Sequence, residues 1–305
     1  MASEKTCIVI VGATASGKTS LSLQLAEYFK TEIISADSRQ CYRELNIGVA
    51  KPGDNDLEKI KHYFINSHSI HDDVNAAVFE NYALHAVHEI FSGNDRAIMV
   101  GGTGLYIKAF CQGMDEMPEI DEDIRQSLRS QYTNKGIEWL KQAVKKNDPL
   151  FYAKGEIQNP QRMLRALEVK LSAGKSVFEL RTAEIKKRPF NIIKLGIDLP
   201  RATLYDQINR RVDAMMEAGL PDEVKSLNDY RYINALQTVG YKELFEYIDG
   251  DVTLNEAVDN IKKNTRHYAK RQTTWFKRDT DIKWIEGNAA ADALRVIDSE
   301  RGTAG

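Results

Sequence analysis

Residues 11–20, VGATASGKTS, carry the pattern G-x-x-x-x-G-K-[ST], with Gly12, Gly17, Lys18 and Thr19 in register. A glycine-rich turn between a strand and a helix aims its backbone N–H groups, and the positive end of the helix dipole, at a phosphate chain. The expected anion site runs through Gly12, Ala13, Thr14, Ala15, Ser16, Gly17, Lys18 and Thr19. Lys18 adds a point charge, and the Thr19 hydroxyl is the expected ligand for Mg2+. The motif calls for a phosphate chain but is silent on what the chain is attached to. A nucleotide hydrolase would add an acid at the end of a second hydrophobic strand to hold the metal. Here the strand AIMV ends in Gly101 and Gly102 instead. The nearby strand-terminal acid is Asp37, in ISADSRQ, followed by Ser38, Arg39 and Gln40. That setting suits a carboxylate facing a substrate; the plainer reading is a turn or helix cap. Thr103 follows Gly101 and Gly102, where ligands bind in open α/β sheets and where glycines permit close approach.

A second group of residues points to a polyanion. Residues 261–278 hold seven Lys or Arg and no acid, with Lys262, Arg266 and Lys270 spaced by four along one helix face. His267 and Trp275 interleave with them, a mixture suited to RNA phosphates with some stacking. A solvated surface helix is the plainer alternative. In NPQRMLRALEV, Arg162 and Arg165 lie three apart on one helix face, while Met163, Leu164, Leu167 and Val169 supply apolar contacts.

These groups need a scaffold, and the pattern supplies one. TCIVIV, TEIISA, RAIMVGG, FNIIKLGIDL and IKWIEG read as strands, and 17–29, 75–92, GLYIKAFCQG, 201–218, 219–229 and 253–276 read as helices. Alternation of this kind implies an α/β fold, a parallel sheet flanked by helices around a P-loop. MDEMPEIDED, with six acids in ten residues, marks a change of character. From there to about 188 only helical patterns appear. The expected organisation is a catalytic core of 1–114 and 189–305 with an all-helical insertion domain over 115–188. The 305 residues are 42% hydrophobic and 28% charged, with a formal net charge of −2, so RNA binding would need a local basic patch. Cys7, Cys41 and Cys111 form no C-x-x-C pair, which argues against disulfides or zinc. No run is long enough to span a membrane. A cytoplasmic protein is expected.

GATASGKT, ISADSRQCYRELNIGVAKP, VGGTGLY, NPQRMLRALEV, QTVGYKE and TRHYAKRQTTWF occur in the order seen in bacterial tRNA dimethylallyltransferases, which the chain resembles from about residue 6 to about residue 286. The resemblance implies transfer of a dimethylallyl group from dimethylallyl diphosphate to N6 of the adenosine just 3′ of the anticodon, in tRNAs reading codons that begin with U. It implies Mg2+ as cofactor and the tRNA anticodon stem-loop as partner of a monomer, with the target base flipped into a channel. Asp37 would be the general base, Lys18 and Arg211 would meet the diphosphate, and Thr103 would bond near the bridging oxygen or the target amine. Arg210 would point elsewhere, since adjacent helix residues do not share a face.

By the same resemblance the tRNA would meet Asp37, Ser38, Arg39, Gln40, Thr103 and Arg125. It would also meet Gln161, Arg162, Met163, Leu164 and Arg165, and Gln237, Thr238, Val239, Gly240, Tyr241 and Lys242. The last stretch would be Lys270, Arg271, Gln272, Thr273, Thr274, Trp275, Phe276 and Lys277. Two other enzyme readings stay in view. An adenylate isopentenyltransferase acting on free AMP or ATP would not need the insertion or the basic helix. A P-loop small-molecule kinase would want the missing metal aspartate.

Overall fold

The structure, a computed structural model, describes residues 5–182, 184–287 and 289–302. They fall into two compact units: the described residues up to Gln112 together with those from Lys187 on, and residues 113–186.

The first unit opens with β1 (Thr6–Gly12), buried along its whole length, as a β-branched run flanked by strands on both sides should be. The phosphate loop then leads into α1 (Lys18–Phe29) and β2 (Ile33–Ser35). Next come α2 (Asp54–Lys59), β3 (His62–Tyr63), α3 (Ala76–Gly93), β4 (Arg96–Gly101) and α4 (Gly104–Gln112).

In the second unit lie α5 (Glu122–Asn147), α6 (Pro149–Lys154), α7 (Pro160–Ala173) and α8 (Val177–Leu180). α5 is two helices joined at Gly136, whose φ of 74° and ψ of −171° break the helical path. The Asn159 side chain caps α7 by accepting from Arg162 N–H, and Gly174 ends it in the left-handed region. Met163, Leu164, Ala166, Leu167 and Val169 of α7 pack against Leu128, Leu140 and Val144 of α5 to make this unit's own core.

The chain re-enters the first unit with β5 (Asn191–Asp198), then α9 (Arg201–Glu217), α10 (Leu220–Ser226), α11 (Tyr241–Ile248), α12 (Leu254–Phe276), β6 (Lys283–Glu286) and α13 (Ala290–Gly302). Arg188 fixes the return. Its guanidinium donates to the carbonyls of Phe110 (2.7 Å) and Ala109 (2.8 Å) at the end of α4 and to Glu80 of α3 (2.7 Å), both ion-pair partners being only 9% exposed.

The six strands form one all-parallel sheet in the order β3-β2-β4-β1-β5-β6. The connection leaving β1 goes toward β2 on one side, while that leaving β4 crosses to β5 on the other. The crevice between the carboxyl ends of β1 and β4 is therefore the place where such a sheet receives ligands. One face of the sheet is sealed by Leu21, Leu25 and Ala26 of α1 with Ala293 and Ile297 of α13.

The pattern reading missed α2, β3, α11 and α13. β3 is two residues long, α2 buries no side chain, and a motif with an obvious glycine turn obscured α11. β2 is also shorter than TEIISA suggests.

Candidate active site

The phosphate loop leaves the end of β1 with positive φ at Gly12 (152°), Ala15 (61°) and Gly17 (90°). This alternation curls successive backbone N–H groups into a concavity. Gly17 occupies the N-cap of α1 without a side-chain cap, so the helix's first N–H groups stay available to an anion. The methyls of Ala13 and Ala15 turn the other way, onto Leu204, Tyr205 and Ile208 of α9 and Ala269 of α12. Their contribution to anion binding is thus their backbone. Lys18 Nζ donates to the Ala13 carbonyl across the loop. The Ser16 hydroxyl is buried with no hydrogen-bond partner. Leaving such a group unsatisfied costs about 1–3 kcal/mol, and polar atoms of this kind mark places where a ligand completes the bonding.

Burial, and after it the neighbouring Arg211 charge, bring the Lys18 ammonium down to about 7, with Asp37 opposing both. Burial likewise lowers Arg211, again offset by Asp37. Lys18, Arg211 and Asp37 therefore share one electrostatic site, at which two desolvated cations face a single carboxylate. Such a site gains by taking up a polyanion. Arg210 turns away to pair with Asp206 at 2.7 Å on the exposed side of α9.

Asp37 follows β2 on the same sheet edge. Its Oδ1 accepts from the N–H groups of Arg39 (2.9 Å) and Gln40 (3.4 Å), so the turn-capping role is real and uses one oxygen. Oδ2 is the atom left to take a proton. Thr103 does not cap its own helix with its hydroxyl. Instead Oγ1 accepts from Ser38 N–H (3.1 Å) and lies 3.4 Å from the Ser38 hydroxyl, tying the end of β4 to the Asp37 turn. Gln40 faces inward, donating to the carbonyls of Val49 and Ala50 and accepting from Ser35 Oγ. Tyr268 on α12 was missed by the sequence reading. It is 36% exposed, and its phenol is pushed up to about 12 by burial and then by the Asp37 charge, which places it at the same site. Its only sequence signal is a position one turn before Gln272.

The glycines after β4 admit the protein rather than a ligand. A Cβ on Gly101 would lie 2.2 Å from Ala36 O, one on Gly102 2.1 Å from Gln272 Nε2, and one on Gly104 2.2 Å from Trp275 Nε1.

The expected RNA-facing stretches each divide by helix face. In the helical unit, Met163 and Leu164 are core residues, while Gln161, Arg162 and Arg165 are exposed. Arg125 pairs with Glu122 and lies 4.0 Å from Glu168, which Arg165 also approaches. Tyr241 is fully buried. Its hydroxyl donates to Glu223, which also accepts from the N–H groups of Ile47 and Gly48, so Tyr241 anchors that loop from inside while Gln237 and Lys242 stay exposed. Gly240 is buried too; Thr238 and Val239 are half-buried. In α12, Gln272 and Phe276 are buried. The evenly spaced basic stripe divides, with Lys270 outward and the other two turned to α9. Lys262 pairs with Asp213 at 2.5 Å and Arg266 donates to Asn209 at 2.7 Å, both on α9. Lys263, Lys270, Arg271, Thr274, Lys277 and Arg278 face outward with Trp275, which is 39% exposed; Thr273 is half-buried and bonded to Ala269 O. Lys277 reaches back to Asp198 at 3.1 Å.

For a metal, the loop offers the exposed Thr19 hydroxyl. Among the described residues no group of three His, Cys, Asp or Glu could hold an ion. A hydroxyl oxygen is a donor that Mg2+ accepts, with the rest of its shell drawn from phosphate and water.

The IPP transferase family model matches residues 40–279. A tRNA dimethylallyltransferase from Bacteroides thetaiotaomicron is 43% identical over 292 residues, covering 96% of this chain and 95% of its own. One from Flavobacterium johnsoniae is 45% identical over 288 residues, with 92% and 93% covered. Among solved structures, the full-length tRNA isopentenylpyrophosphate transferase of Bacillus halodurans superposes with a TM-score of 0.70 at 36% identity, over 99% of this chain and 96% of that one. A eukaryotic dimethylallyltransferase acting on tRNA gives 0.75 at 25% identity, over 98% and 77%. With the family model spanning most of its length and relatives this similar end to end, the chain belongs to the IPP transferase family.

Proposed function

We propose that this protein transfers a dimethylallyl group from dimethylallyl diphosphate to N6 of the adenosine 3′-adjacent to the anticodon, in tRNAs reading codons that begin with U. The observation that carries the reading is the phosphate loop at the end of β1, with its buried and unpartnered Ser16 hydroxyl, and Asp37 on the same sheet edge in a turn tied to Thr103 through Ser38. In this reading the diphosphate lies in the loop with Lys18 and Arg211 on its oxygens, and the Ser16 hydroxyl gains its missing partner. Mg2+ held by Thr19 and the phosphates would supply further charge neutralisation to the departing group. The adenine amine attacks C1 of the allyl group; the N6–C1 bond forms, the C1–O bond breaks, and diphosphate leaves with the electron pair.

The leaving group gains charge as it departs, so preorganised N–H donors and cations lower the barrier. The amine must also shed a proton, and Asp37 Oδ2 accepts it while Oδ1 keeps the carboxylate oriented. The reaction balances without ATP or water. Thr103 holds the Asp37 turn against β4, which keeps base and donor on one edge. The outward residues of α12 and of 161–165 meet RNA phosphates, with Trp275 and Tyr268 as aromatic surfaces near the base. Donor loop, base and basic helix all come from one chain, so the reading takes a monomer, and a tRNA substrate would place it in the cytoplasm. No helix among the described residues is long and apolar enough to cross a membrane.

The deciding experiment supplies labelled dimethylallyl diphosphate to the protein with either an unmodified tRNA whose anticodon ends in A or free AMP. Label is expected in the tRNA alone; label in AMP would overturn the assignment.

A further inference from the structure

Gln272 lies in the middle of the basic helix, flanked by Arg271 and Thr273, where sequence similarity marks it for RNA. Its surroundings say otherwise. The residue is 6% exposed. Its Oε1 accepts from the backbone N–H of Thr14, in the phosphate loop, at 2.7 Å. Its Nε2 donates to the carbonyl of Gly102, directly before Thr103, at 2.9 Å. One planar amide therefore spans the two halves of the site. The fit has no slack, since a Cβ on Gly102 would stand 2.1 Å from Nε2, and the next nearest atoms it would meet also belong to Gln272. Neither backbone group is satisfied by sheet or helix pairing, so the glutamine supplies bonds that this junction lacks. Asparagine is one methylene too short to make both.

We propose that Gln272 is a positioning residue which locks the phosphate loop to the Gly102–Thr103 turn, fixing the separation of the allylic donor from the acceptor amine. It rests on the dimethylallyl-transfer reading. Because the outward face of α12 carries Lys270, Arg271 and Trp275, the helix that meets RNA is also the one that clamps the donor loop. Small misplacements of reacting groups cost large factors in rate, so such a brace acts on turnover as well as on donor binding.

Three quantities test the brace in Gln272→Ala: the Kd for inorganic diphosphate, the kcat and KM for dimethylallyl diphosphate, and the Kd for unmodified tRNA. The expected result is a diphosphate Kd and donor KM raised at least fivefold and kcat lowered at least tenfold, with the tRNA Kd within twofold of wild type. A residue that served the fold alone would lower the melting temperature without moving KM. Gly102→Ala, whose new methyl must displace the same amide, should reproduce the pattern. In the Gln272→Ala background it should add little, since its collision partner is gone. This second variant carries the test should the first not fold. A tRNA Kd raised tenfold with donor KM unchanged would make Gln272 an RNA contact and overturn the brace. So would donor parameters within twofold of wild type, or fully additive effects. Wild-type protein that prenylates no tRNA would sink the functional reading; active wild type with an unaltered Gln272→Ala would sink only the brace.

Discussion

The phosphate loop and the α12 helix teach opposite lessons about reading a site from contiguous residues. In the loop, the turn from Gly12 to Thr19 gathers neighbouring N–H groups into one concavity, so sequence order equals spatial order, with the Thr14 N–H turned instead to Gln272. In α12 a run of neighbours points in all directions. Gln272 and Phe276 go inward, Lys262 and Arg266 pair sideways with α9, and Lys270, Arg271 and Trp275 go out. A helical segment expected to meet RNA thus contains buried residues, and the brace we propose for the donor site is among them.

Five measurements would break or sharpen this contrast. The largest effect is expected at Asp37. Replacing it with Ala should cut kcat by about two to four orders of magnitude through loss of the general base, with tRNA affinity roughly intact; unchanged turnover would move the base elsewhere. Next is Met163→Ala, in the core of the helical unit. Burial predicts a loss of about 2–5 kcal/mol in that unit's stability by urea denaturation, and an unchanged salt dependence of tRNA binding. A shifted salt slope without destabilisation would restore Met163 as a contact.

Lys18→Ala should raise the KM for dimethylallyl diphosphate on the order of 10- to 100-fold, the worth of a charge-assisted bond. The pH dependence gives a finer check. Free Lys18 titrates at about 7, and a bound polyanion favours the charged form and raises that value. In the window above 7 the bound state then holds a proton that the free state has lost. Binding takes up that proton, and donor affinity falls as pH rises, by at most about tenfold per unit. Calorimetry in two buffers of different ionisation enthalpy would detect the uptake, which should vanish in Lys18→Ala.

The smallest effect is in salt titrations of tRNA binding. Arg271→Ala should soften the log–log slope by about one, whereas Lys262→Ala, already paired with Asp213, should leave it alone. Equal slopes for the two would erase the distinction between the faces of α12.

The parallel sheet, the phosphate loop and α7 with its Asn159 cap were legible because each has a local signal: a buried β-branched run, spaced glycines, a capped apolar period. Asp37 was legible as a strand-terminal acid, though its turn-capping oxygen was visible only in three dimensions. Glu223, Tyr268 and the two hydrogen bonds of Gln272 were not legible. Each acts on residues far away in sequence, and nothing in the local pattern of an acid, a tyrosine or a glutamine records that. The glycines at 101 and 102 carried a true signal of close approach, but not the identity of what approaches.

The Arg188 clamp bears on how such a protein is assembled from parts. Because its guanidinium holds the carbonyls of Ala109 and Phe110, the point where the chain leaves the sheet unit and the point where it returns are neighbours within that unit. A segment whose two ends meet is a cassette. It can be lengthened, shortened or exchanged between relatives without changing the register of any strand, so the helical unit is free to diversify while the sheet unit keeps its shape.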